Sequence, residues 1–151
     1  MAVTNTQPKN FISNVLSKNL TFTGSSADTF KVHLMDTTYT FNASTDINLG
    51  VANVASHILA ASGSYAAATA TMGSASVSGS STTLAATAVS WTNGTSSSFA
   101  AAGAAVVYKS TGSASTDTVV NCIDFGADYT VAPTQTFQIT FASGFLVGTL
   151  T

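Results

Sequence analysis

The spacing of apolar and polar positions changes several times along this chain, and each change marks an element. After Pro8, the residues Phe11, Ile12, Val15 and Leu16 recur at helical spacing, which predicts an amphipathic helix over residues 8–19 with Asn19 as its stop. Residues 29–35 switch to period two. Phe30, Val32 and Leu34 share one face there and Lys31, His33 and Met35 the other, the pattern of a half-buried strand. Residues 36–50 are rich in Asp, Thr, Asn and Ser and read as a loop anchored by Tyr39 and Phe41. Val51, Val54, Ala55 and Ile58 return to helical spacing and predict a short helix. Residues 60–82 are polar and of low complexity, with alternations at Thr69 and Thr71 and at Ser74, Ser76 and Ser78. Such a stretch suits exposed strands whose two polar faces leave register weakly specified.

The second half carries apolar or alternating runs at 84–91, 100–109, 118–125, 136–141 and 145–150, punctuated by Asn-Gly, Gly-Ser and Ala-Pro. Short strands at this spacing predict a mainly β fold, an antiparallel β-sandwich or barrel with one short N-terminal helix. Val89 and Trp91 share one strand face, which places Trp91 in the core, and Phe137, Ile139 and Phe141 share another. Asn93-Gly94 reads as a tight turn closing a hairpin after Trp91. Residues 1–7 stand apart as a flexible arm, and residues 8–151 form one domain. The polar, strand-prone arm is suited to adding a strand to a neighbour's sheet edge.

Charge narrows the function classes. Only 7% of residues are charged, there is no Arg and no Glu, and the formal net charge is -2. Lys9, Lys18, Lys31 and Lys109 form no cluster in sequence, so the phosphate neutralisation that nucleic-acid binding needs has no footprint here. No Asp, Glu, Lys or Arg lies between Asp46 and Lys109, which leaves hydroxyls and amides to hydrate that stretch. Weak self-repulsion of this kind favours a chain that lives in an assembly. Disordered chains pair high charge with few aromatics, whereas this one has 9% aromatic residues, so a folded chain is expected. No basic region followed by an apolar core opens the chain, and no apolar run approaches the length of a bilayer span, so a protein made in the cytoplasm and not inserted in a membrane is expected.

Candidate chemistry is sparse. Cys122 sits in an apolar run and reads as a buried, inert thiol. His33 and His57 lack zinc-ligand spacing and read as surface histidines. Asp124 and Asp128 read as turn-ordering residues bonding to nearby backbone, and no Gly-x-Ser-x-Gly elbow anchors a nucleophile. Asn19, Asn42 and Asn93 head glycosylation-type triplets, which a Ser/Thr-rich chain generates by chance. No catalytic, cofactor-binding or metal-binding residue is therefore nominated, and an enzyme is not expected.

Several segments together resemble a family of small structural proteins of tailed bacteriophages. They are Asp28-Thr-Phe-Lys-Val-His-Leu-Met-Asp-Thr-Thr-Tyr39, Val89-Ser-Trp91-Thr-Asn, Ala105-Val-Val-Tyr108-Lys-Ser-Thr-Gly112, Ile123-Asp-Phe-Gly126-Ala-Asp128 and Phe137-Gln-Ile-Thr-Phe141. Their order and spacing, with the helix preceding the Asp-Thr-Phe-Lys strand, match over nearly the whole chain. The central segment departs from the family's glycine-rich one, with Asn53-Val-Ala-Ser56 followed by Ala-rich sequence. The resemblance implies a virion component, most simply a capsid decoration or cement protein bound where capsomers meet. Its expected partners are the major capsid protein or other virion proteins and further copies of itself, with a trimer the expected number. A neck, tail or fibre component is the nearest alternative. A carbohydrate-binding adhesin stacking sugars on Trp91, Tyr65 or Tyr108 is the next.

Overall fold

The computed structural model describes residues 3–23, 27–60, 65–78, 81–95, 99–141 and 146–149. Within them the chain is mainly β, with antiparallel sheets and a short early helix. In chain order the elements are β1 (Thr4–Thr6), α1 (Phe11–Leu16), β2 (Phe30–Asp36), α2 (Ala52–His57), β3 (Ala68–Ala70), β4 (Met72–Ser78), β5 (Ser81–Ala86), β6 (Val89–Thr92), β7 (Phe99–Lys109), β8 (Thr118–Val131), β9 (Thr136–Ile139) and β10 (Leu146–Thr149). A five-stranded sheet runs β1-β8-β7-β2-β3, a second runs β10-β5-β4, and β6 pairs with β9. The five-stranded sheet has open edges at β1 and β3 and does not close on itself.

The helix α1 is shorter than its apolar spacing predicts. Lys18 adopts a left-handed backbone, φ 58°, and the amides of Asn19 and Leu20 turn back to the Asn14 carbonyl, which ends the helix in its second turn. The second helix forms where the 51–58 spacing places it. Phe11 and Val15 pack against the core, while Ile12 and Leu16, one position further round the helix, are 63% and 79% exposed.

Both faces of the five-stranded sheet are covered. On one, Phe30, Val32 and Leu34 of β2 meet Ala105 and Val107 of β7 and Ile123 and Phe125 of β8, together with Leu84, Val89, Trp91 and Ile139 from the smaller sheets. On the other, Met35, Val106, Val119 and Cys122 are covered by Leu49, Val54, Tyr39 and Phe41 from the connection between β2 and β3. This second layer accounts for Met35, which the period-two reading puts on the outer face and which is fully buried. Tyr39 and Phe41 are anchors, as their place in the polar loop suggests. Gly103 of β7 lies under this connection, and a Cβ there would sit 3.1 Å from the Thr37 Cα, so a larger residue would have to push the two backbones apart by a few tenths of an ångström.

Two pairings differ from the sequence reading. The run 84–91 is two strands in two sheets, broken at Thr87, whose amide donates to the Thr71 carbonyl while its hydroxyl accepts from the Thr71 amide. Asn93-Gly94 does not close a hairpin with the next strand. The partner of β6 is β9, and Asn93 is buried, its Nδ2 donating to the Val131 carbonyl at 2.8 Å and its amide to the Gln135 carbonyl. Asn93 thus clamps the turn that leads from β8 into β9. The polar stretch around β4 pairs with β5 through a register irregularity between Met72 and Ala75. Of the residues 1–7 set apart as an arm, Thr4–Thr6 form β1 on the outer edge of β8, in register Thr4 with Asp124, Asn5 with Ile123 and Thr6 with Cys122.

Candidate functional site

The edge where β1 lies on β8 is flanked by two clefts and held by a buried polar side chain. Successive side chains of a strand point to opposite faces, and here each face of β1 borders open space. Val3 and Asn5 line one cleft of about 430 Å³ together with Ile123, Phe125, Tyr129 and Phe137. Thr4 and Thr6 line another of about 190 Å³ with Tyr39, Phe41, Cys122 and Asp124. The three residues of β1 are all exposed and belong to neither core cluster. Their side chains are too small and polar to fill either cleft.

One polar contact fixes this strand to the sheet beyond its backbone pairing. Asn121 on β8 is fully buried, and its Nδ2 donates to the Asn5 Oδ1 at 3.1 Å. A buried amide without a partner is costly, so β8 favours an occupied edge. The larger cleft has an aromatic wall: Phe125 meets Tyr129 edge-on at 5.9 Å, and Phe137 lies 5.6 Å from Phe125 and 6.0 Å from Tyr129. Tyr129, 46% exposed, forms its outer rim. Asp124, on the side of the smaller cleft, is exposed and accepts from the Gly126 amide at 2.8 Å, the turn-ordering bond expected of it. Gly126 takes φ 67°, so this irregular point of β8 suits glycine.

The other residues with chemical potential are dispersed. Cys122 is buried, and burial, reinforced by Asp124 and Asp46, pushes its thiol up to about 12, so it is protonated and unreactive at neutral pH. His33 is half-buried rather than on the surface. It stacks on Tyr108 with centroids 5.2 Å apart, its Nδ1 is 3.4 Å from the Tyr65 hydroxyl, and burial lowers its pKa against the opposing pull of Asp117. His57 is half-buried as well, its Nδ1 2.7 Å from the Asn53 carbonyl oxygen. Among the described residues no three His, Cys, Asp or Glu side chains converge as a metal site, and no helix is long and apolar enough to cross a membrane. Trp91, Tyr65 and Tyr108 are all buried, with the Trp91 Nε1 donating to the Ala66 carbonyl, so none of the three offers a face for sugar stacking. Among the described residues the exposed aromatic ring is Tyr129, which the sequence did not single out.

Four large apolar side chains are exposed among the described residues: Val3, Ile12, Leu16 and Tyr129. Three of them fall within residues 3–16, on β1's approach and on α1, and the fourth lines the cleft beside β1. Lys9 and Lys18 flank the helix and are exposed, whereas Lys109 is held by Asp28 at 2.8 Å. Comparison with family models, with curated proteins and with solved structures finds no match to the chain.

Proposed function

We propose that this chain is a structural component of a tailed-bacteriophage particle, a decoration or cement protein that binds the capsid where capsomers meet. The observation that carries this reading is that Val3, Ile12, Leu16 and Tyr129 are exposed on a molecule with very few charges. A surface of low charge with exposed apolar side chains is weakly protected against association. The succession of segments resembling phage structural proteins supports the same reading. The architecture that suits the role is a β-sandwich, with the five-stranded sheet as one layer and the smaller sheets as the other. The role is passive: apolar and backbone surface is buried across neighbouring subunits, and the shell is stiffened by it. The partners are the major capsid protein and further copies of this chain, and the place of action is the virion.

Quantitative mass spectrometry of purified particles of the phage encoding this chain tests the proposal. A decoration protein is present in hundreds of copies, in fixed proportion to the major capsid protein. A dozen copies or fewer assigns the chain to the neck, tail or fibre, and its absence from the particle overturns the structural role.

A further inference from the structure

We infer that the β1 strand is exchanged between copies, so that Thr4–Thr6 of one molecule pair with β8 of a second copy. The inference stands on the arm and its seat alone and does not depend on the particle reading. The seat is made for this segment: the register against Asp124, Ile123 and Cys122 is set, and the buried Asn121 amide finds its acceptor in Asn5. The same contacts form whether the strand comes from the same chain or from another. Nothing else in the fold requires the strand to be the molecule's own, because neither core cluster contains a residue before Phe11. From Pro8 onward the chain is anchored, with Pro8 buried and the Lys9 amide donating to the Ala43 carbonyl, so Gln7 is the joint at which the strand can swing away.

What distinguishes the two arrangements is the surface next to that joint. Held in its own molecule, the segment leaves Val3, Ile12 and Leu16 exposed. Exchange brings a second copy against residues just beyond the joint, where Ile12 and Leu16 sit one helical turn apart on α1. The apolar surface newly formed beside a hinge is what favours an exchanged oligomer over a closed monomer. Residues 3–8 carry no charge, so no like-charge repulsion opposes the approach.

The lone native cysteine supplies the test. Thr6 and Cys122 are directly paired and line the same cleft, a geometry within reach of a disulfide. The Thr6→Cys variant of the full chain, oxidised in its folded state over a range of concentrations up to about 100 μM, is run on a non-reducing gel and peptide-mapped. The expected result is that more than half of the chain at the top concentration is a covalent dimer or larger ring joined through Cys122, dispersed by reductant and lost when Cys122→Ser is added. A disulfide confined to single chains at every concentration overturns the exchange. So do multimers that persist without Cys122. Should the variant fold poorly, or the buried Cys122 thiol form no bond at all, native mass spectrometry of the unaltered chain and of one lacking residues 1–7 decides. An oligomer that becomes monomeric on deletion supports exchange, and an unchanged state in both overturns it.

Discussion

His33 shows how a residue's environment sets its chemistry. Its strand position faces away from the main apolar cluster, which in a one-sided sheet would leave it in water. The connection between β2 and β3 covers that face, so the imidazole is half-buried against Tyr108 and its pKa is lowered, chiefly by burial. A histidine with a depressed folded pKa favours the fold fully above its unfolded value near 6.5, and this contribution is lost as pH falls below that value toward the folded pKa. Stability measured by denaturant unfolding should therefore drop between about pH 7.5 and about pH 5.5. His33→Gln should flatten this slope, and an identical slope in the variant would show that His33 is not its source. Trp91 and Cys122 were legible from sequence because each sits in an alternating or apolar run whose inner face is its own evidence. His33 and Met35 were not, because what buries them is a loop with no periodicity to announce it.

At the scale of elements, that loop owes its order to one carboxylate. Asp46 is fully buried and receives the Asn42 amide at 2.9 Å, the Asn53 Nδ2 at 2.8 Å, and the Tyr39 and Thr45 hydroxyls at 3.2 Å each. A charge without a cationic partner can be buried when hydrogen bonds replace its water, and here they tie the loop to the first turn of α2. Asp46→Asn would turn an amide donor toward these donors. It should cost about 2–4 kcal/mol in denaturant unfolding, whereas Asp36→Asn, in an exposed turn where the carboxylate accepts from Thr38, should cost less than about 1 kcal/mol. Equal costs would contradict the organising role of Asp46. Both helices and most strands follow from local spacing. Two features did not: the β6–β9 pairing, which joins segments more than forty residues apart and leaves Asn93-Gly94 looking like a local hairpin, and the seat of β1, which depends on a distant buried asparagine. The apolar spacing of α1 marks all four of its large side chains alike, whereas Phe11 and Val15 pack against the core and Ile12 and Leu16 are exposed.

For the whole molecule, the absence of Arg and Glu and the net charge of -2 decide what kind of force can hold it to a partner. Of the four lysines, Lys109 is already engaged with Asp28 and with the Asn19 carbonyl. Lys9 and Lys18 remain exposed beside α1, too few to steer docking over a distance. The exposed apolar side chains and the open sheet edges at β1 and β3 offer burial at about 25 cal/mol per Å² and backbone pairing, neither of which is screened by moderate salt. For the proposed role on a particle, the direct measurement is re-addition of the purified chain to particles stripped of it, at about 50 mM and at about 500 mM sodium chloride, with occupancy read by quantitative mass spectrometry. Attachment by packing predicts occupancies within about threefold of each other, and a loss of tenfold or more at the higher salt would contradict it and assign the anchoring to Lys9 and Lys18.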